Sequence, residues 1–377
     1  MFVSRLLAGN HLRLSLLLFV VVGACLFAAS AMAAASFIGP LNSITTVAST
    51  VPKNGDVNPY GVAVVPASTG NLVAGDVLVS NFNNHRNLQG TGTTIVQISP
   101  SGGVSVFASL APNKLPGPCP GGVGLTTALA VLQSGWVIVG SLPTKNGMSQ
   151  TAQAGCLIII NSKGTAVKTI AGDPINGPWD MTALDGGGSA TLFVTNVLNG
   201  TVAASPNTVD GGTVVRINMT SPASGTPTVI SETVIGKDFP ERTDPAALVV
   251  GPTGLGLSGT TLYVADSVGN RIASIPNALN ATTPVSGTTE SSNGALNDPL
   301  GLAIAPNGDI LTTNGGDGNL VETDPTTDSQ VAVKTLDTTP APPGPNGNGA
   351  LFGLAITPDQ SGVYYVDDAT NTLNLIS

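Results

Sequence analysis

One pattern recurs six times along the chain and fixes most of what it can become. A turn with Pro or Gly leads into a run of small apolar residues. A Pro/Gly/Asn/Asp turn follows, then a β-branched run ending in Asn or Asp, then further short strands. The clearest copy is Asp298-Pro299-Leu300-Gly301-Leu302-Ala303-Ile304-Ala305-Pro306-Asn307-Gly308-Asp309, continuing through Ile310-Leu311-Thr312-Thr313-Asn314. Others are Asn58-Pro59-Tyr60-Gly61-Val62-Ala63 with Asp76-Val77-Leu78-Val79-Ser80-Asn81, and Gly254-Leu255-Gly256-Leu257 with Thr261-Leu262-Tyr263-Val264-Ala265-Asp266. A fourth is Phe352-Gly353-Leu354-Ala355-Ile356 with Gly362-Val363-Tyr364-Tyr365-Val366-Asp367. Two weaker copies run from Leu125 to Val139 and from Gly177 to Asn196.

Six copies in the 344 residues after position 33 (377 − 33) give a period of roughly 57, a spacing that marks propellers and arrays. Each copy reads as four short strands, and no segment has a helical period. The expectation is an all-β, six-bladed β-propeller of four-stranded blades over 34–377. Radial repetition of this kind leaves only short, protected sheet edges. The opening run of each copy is continuously apolar, as a strand buried on both faces should be. The last copy ends at its third strand, Leu373-Asn374-Leu375-Ile376, and Asn42 to Ala48 is the candidate fourth, which would close the ring. Five or seven blades stay open as alternatives because 202–250 is irregular.

Residues 1–33 read as a signal peptide. Arg5 and Arg13 precede the apolar run Leu14 to Phe27, and Ala31-Met32-Ala33 supplies small residues for cleavage before Ala34. An uncleaved anchor is the alternative. A third reading takes Val22-Gly23-Ala24-Cys25 as a lipobox with Cys25 acylated, although Leu26-Phe27-Ala28 continues the apolar run. Export is the expectation, to the periplasm or outside the cell, with no membrane span after cleavage.

Removing that segment leaves 11 basic and 22 acidic residues, a net charge of −11, which excludes broad affinity for nucleic acid or anionic lipid. His85 is then the only histidine, and Cys119 and Cys156 the only cysteines. In an exported chain such a pair is expected to form a disulfide.

A family resemblance rests on specific residues. Asp266-Ser267-Val268-Gly269-Asn270-Arg271-Ile272 resembles the NHL-repeat signature, and Asn83-Asn84-His85-Arg86 echoes it. The Pro299 to Asp309 pattern is similar to NHL and to gluconolactonase/regucalcin-like propellers. This likeness spans nearly all of 38–377 and implies the six-bladed fold, which serves lactonases, lyases and binding proteins alike.

In such a blade the turn before the first strand and the turn between the second and third lie on one face. Asn81, Ser141, Asn196, Asp266, Asn314 and Asp367 then ring a mouth, joined by Asp180, Asp298, Asp317 and Asp368. Oxygen-rich rings suit Ca²⁺. Equally, Asn and Asp end strands because they bond local backbone and tolerate left-handed turns. The resemblance implies a metal-ligating Glu near the start of the first blade, but Asn58-Pro59-Tyr60-Gly61 has none. The chain's four Glu (232, 241, 290 and 322) fall at no expected mouth position. The remaining metal set is Asp180, Asn196 and Asp266 around a divalent cation such as calcium.

His85 and Asp266 are the catalytic candidates. His85 is a general base or a solvated loop residue, and no second element matches the His-using lyase propellers. Gly254 to Gly259 fits GxGxxG but leads from strand to strand, where a dinucleotide site needs a helix. Asn199, Asn218 and Asn280 head glycosylation sequons, meaningful only in a eukaryotic secretory pathway. Thr338 to Gly347 is a loop, or a lid over the mouth. The favoured function is an exported propeller binding a small-molecule or protein ligand at the mouth. The alternatives are a metal-dependent hydrolase of lactones and a structural envelope protein.

Overall fold

The computed structural model describes residues Ala35–Ser377, which form one compact unit. The segment expected to be a signal peptide, and Cys25 of the alternative lipobox reading, lie outside the described residues. Six antiparallel sheets follow in chain order, one per repeat. Blade 1 comprises Val57–Val64, Val77–Asn83, Thr94–Ile98 and Val104–Ser109, and blade 2 Leu125–Val131, Val137–Ser141, Cys156–Ile160 and Ala166–Ile170. Blade 3 comprises Pro178–Asp185, Ser189–Asn196, Val209–Thr220 and Val229–Asp244, with a short fifth strand, Leu248–Val250. Blade 4 is Pro252–Ser258, Thr261–Asp266, Arg271–Ile275 and Thr288–Ser292, and blade 5 Pro299–Ile304, Ile310–Asn314, Asn319–Asp324 and Ser329–Thr335. Blade 6 takes Leu351–Ile356, Val363–Asp367 and Thr372–Ile376 from the C-terminus. Its outer strand is the N-terminal Ile44–Ser49, in register from Ile44 with Ile376 to Ser49 with Thr372. The expected ring closure is therefore what the chain does.

The irregular stretch does not change the blade count. It contains the only α-helix among the described residues, the single turn Thr201–Ala204, followed by strands of 12 and 16 residues. Those long strands carry the chain past the blade edge and back over the ring.

Adjacent inner strands are clasped by hydroxyls. Ser80 Oγ, Thr195 Oγ1 and Thr313 Oγ1 sit on second strands. Each accepts the N–H of its own inner strand (Gly61, Asp180 and Gly301, all at 3.0 Å). Each then donates to a carbonyl of the next blade, that of Thr126 (2.7 Å), Thr253 (3.0 Å) or Phe352 (2.6 Å). Backbone groups at crowded blade junctions must be paired, and these hydroxyls pair them. Two of the expected ring residues do similar local work: Ser141 Oγ donates to Gly122 O, and Asn81 Nδ2 donates to Thr50 O (both 3.0 Å).

The N-terminal segment is fixed by Glu322, a fully buried carboxylate that accepts Ser36 Oγ at 2.6 Å, Phe37 N at 2.6 Å and Ile38 N at 2.8 Å. Those donors hold it below the usual Glu range, while its negative neighbour Asp309 is pushed up to about 7 by burial and by Glu322. Cys119 and Cys156 form the expected disulfide, with Cα atoms 5.2 Å apart. It closes a loop of 37 residues, so reduction should cost about 2–4 kcal/mol. Unfolding curves with and without reductant check this, and coincident midpoints would contradict it.

Candidate functional site

The six inner strands share one register. Val62 pairs with Val79, Leu129 with Val139, Met181 with Val194, Leu255 with Val264, Leu302 with Thr312 and Leu354 with Tyr365. Two residues earlier, the ring position nearest the expected mouth holds Tyr60, Trp179, Thr253, Leu300 and Phe352, while blade 2, with one more residue before Leu129, brings Thr126 and Thr127 to this level. Its aromatic members meet one another. Tyr60 stacks on Phe352 with ring centroids 3.9 Å apart and on Phe82 at 4.4 Å, and Trp179 lies 6.2 Å from Tyr60. Tyr60, Trp179, Leu300 and Phe352 are each at most 2% exposed.

Such large rings are buried at a mouth only if something covers them. The cover is the hairpin in which Arg242 to Asp244 pairs with Leu248 to Val250. Trp179 Nε1 donates to Val249 O at 2.9 Å, Gln89 Nε2 to Pro245 O at 2.6 Å and Ser149 Oγ to Asp244 O at 2.8 Å. Leu248, Val249 and Val250 are fully buried in the same apolar cluster as the rings. The lid is thus the segment that links blade 3 to blade 4. The Thr338 to Gly347 run is a loop, as its prolines dictate.

The other end of the channel is open. Every inner strand changes from buried to part-exposed along its length, for example from Pro299–Leu302 to Ala303–Ile304 and from Pro252–Gly256 to Leu257–Ser258 in blade 4. The same change appears in blades 1, 2, 3 and 6. These second halves line a cavity of about 330 Å³.

One ring position separates plug from cavity, and its occupants are Gly61, Ala128, Asp180, Gly254, Gly301 and Gly353. Glycine is required where blades touch there: a Cβ on Gly301 would lie 2.2 Å from Phe352 O, and one on Gly353 2.3 Å from Tyr60 O. Blade 3 alone carries a large polar side chain at this level. Asp180 lines the cavity and is 8% exposed. Its Oδ1 accepts Met181 N at 2.8 Å and its Oδ2 accepts Leu255 N at 3.3 Å. Burial pushes its carboxyl up to about 7, against those two donors. No other residue lining the cavity is ionisable.

The other residues singled out in the sequence have separate partners. Asn196 Oδ1 accepts Asn176 N at 3.3 Å. Asp266 is fully buried in an ion pair with Arg271 Nε at 2.8 Å and also accepts Gly269 N at 2.9 Å. Burial raises its carboxyl despite the guanidinium. Asp180 and Asn196 sit on adjacent strands of blade 3 and Asp266 in blade 4, each with its own partners. His85 is exposed in the loop after Val77–Asn83. Glu241, placed away from the mouth by sequence, is instead buried against the mouth-side turn of blade 3, accepting Asn199 N and Thr201 Oγ1 at 2.8 Å each.

A calcium ion takes six to eight oxygen ligands. The stretch where the resemblance implies a ligating Glu presents Tyr60 between two phenyl rings, and the ring around it is mostly aromatic and aliphatic. Among the described residues, no three His, Cys, Asp or Glu side chains converge on one point. The residues at this mouth do not fit a divalent cation.

No family model matches the chain, and no curated protein matches it. Solved structures share its fold. A calcium-binding protein, regucalcin, from Agrobacterium tumefaciens strain C58 is 15% identical, over 87% of this chain and 92% of that one, with a TM-score of 0.52. A gluconolactonase from Xanthomonas campestris is 14% identical over 88% of each chain, with a TM-score of 0.50. Both are propellers of the kind the repeats resemble, and at these identities the likeness is one of fold.

Proposed function

We propose that this protein is a ligand-binding propeller whose ligand enters the central channel from the face where the inner strands end. The observation that carries this reading is the asymmetry of the channel, plugged and capped at one end and open at the other. The cavity at the open end is walled by Val, Leu, Ile, Ala and Met side chains, while polar atoms form much of its accessible surface; small-molecule pockets likewise combine apolar walls with placed polar groups. Its size suits a small molecule. The expected mouth is thereby replaced by its opposite face. The metal-dependent hydrolase reading needs a cation among Asp180, Asn196 and Asp266, whose oxygens already serve backbone donors and Arg271. Delivery outside the cytoplasm accords with the Cys119–Cys156 bridge, since disulfides persist in oxidising compartments.

Titration calorimetry with a panel of neutral cyclic alcohols and matched ammonium ions tests the reading. Saturable one-to-one binding is expected for at least one member. It should be lost in Ala183→Trp, which fills the channel from a part-exposed lining position. No binding across the panel, or binding that survives this substitution, would overturn the reading. Melting curves in excess Ca²⁺ and in EDTA should superimpose.

A further inference from the structure

Resting on the channel reading, we infer that Asp180 makes this channel selective for a small molecule carrying a protonated amine. Five of the six inner strands place Gly or Ala at the level of Asp180, and four of those glycines are held by neighbouring backbone that would touch a Cβ at 2.2–2.8 Å. A carboxylate at that level in one blade alone therefore departs from what packing asks for. It is also poorly compensated. Each oxygen accepts one backbone N–H, while an ionised carboxylate has about four acceptor sites. Thr127, in the neighbouring blade and on the same cavity, is 4% exposed, and its Oγ1 is buried without a hydrogen-bond partner. Asp180 thus brings spare acceptor capacity to the cavity, and the Thr127 hydroxyl lies covered and unpartnered in its wall.

An ammonium group supplies what Asp180 lacks: up to three donors and a full positive charge, in surroundings where opposite charges attract more strongly than in water. A small inorganic cation fits less well, because a single carboxylate supplies too few of the oxygen ligands that would replace its hydration shell. A hydrocarbon body attached to the ammonium would fill the remaining space against Leu255, Leu302 and Ile304. No other cavity-lining residue from any of the six inner strands is charged, so the recognition has one sign and one partner.

The probes are cyclohexylmethylammonium and its neutral match cyclohexylmethanol, titrated into the full mature protein. At pH 8.5, where Asp180 is ionised, the ammonium should bind at least tenfold tighter than the alcohol. The ratio should shrink as pH falls below 7, because protonated Asp180 must release its proton to pair with the cation. In Asp180→Asn the ratio should collapse towards one. Equal affinities in the wild type, or a preference that survives Asp180→Asn, would overturn the inference. Binding of the alcohol alone would leave the channel reading standing while defeating this one; failure of both probes, with the rest of the panel, would defeat both.

Discussion

Trp179→Ala should destabilise the fold by about 3–5 kcal/mol, the range for removing a large buried aromatic side chain. Trp179 is 2% exposed and belongs to the largest apolar cluster, where it joins the inner strand of blade 3 to the cap. Its loss removes contacts with the ring group around Tyr60 and leaves Val249 O without its indole donor. Trp179→Phe keeps most of the ring volume and loses the hydrogen bond, so it should cost about 1 kcal/mol. Denaturant unfolding of both variants separates packing from the bond. Equal losses would mean that the cap depends on the bond and not on the plug.

The second large effect concerns pH. Burial raises several carboxyls in the folded protein: Asp180, Asp368 and Glu241 to about 7 and Asp298 to about 6. Unfolded, such groups titrate near 4. Between these values the native state binds more protons than the unfolded one, so stability is full below the unfolded pKa and falls as pH rises through 6 and 7. Other acids act in the opposite sense. Hydrogen bonds hold Asp324 and Asp359 low, and their contribution is lost as pH falls through their folded values. The melting temperature should therefore peak in mild acid and decline towards pH 8.

Asp180→Asn isolates one part of that decline. The shift to about 7 corresponds to at most roughly 4 kcal/mol of destabilisation at pH 8. The amide keeps only one of the two acceptor contacts, returning about 1 kcal/mol of the gain. A net stabilisation of about 2–3 kcal/mol is expected at pH 8 and none at pH 4, read from denaturant midpoints. A neutral or harmful effect at pH 8 would contradict the assignment of burial as the cause. A residue whose removal stabilises the fold is a candidate for function, because active and binding sites often cost stability.

The register of the blades was legible because it is repeated. Pro178, Pro252 and Pro299 begin inner strands and pair with Asn196, Asp266 and Asn314, which end the next strands, and Pro59 pairs with Asn81 in the same way. The same alignment contained the plug, since Tyr60, Trp179, Leu300 and Phe352 occupy one column. Reading that column across the copies, instead of along each copy, would have found the closed mouth. It would also have found Asp180 as the one acid in a column of glycines and alanine. The cap had no such signal. Residues 242–250 look like a strand interruption, and their role follows from where the blade 3 connection crosses the ring.

The sequence alone determined the repeat, the strand order, the closing N-terminal strand and the disulfide, because each follows from local pattern or repetition, while the structure fixed the blade count at six across the irregular stretch 202–250. Which end of the channel is open was decided only by tertiary structure. Both ends of every blade carry similar turns, and the difference arises where side chains from separate blades meet at the axis. At one end three aromatic rings, Leu300 and a hairpin fill the space. At the other, small residues leave it empty beside one carboxyl. Asn and Asp at strand ends became turn and blade-junction residues, because their oxygens lie closest to backbone donors of their own loops. Asp180 has no such loop to serve, and burial at the blade interface gave it its raised pKa and its place at the cavity.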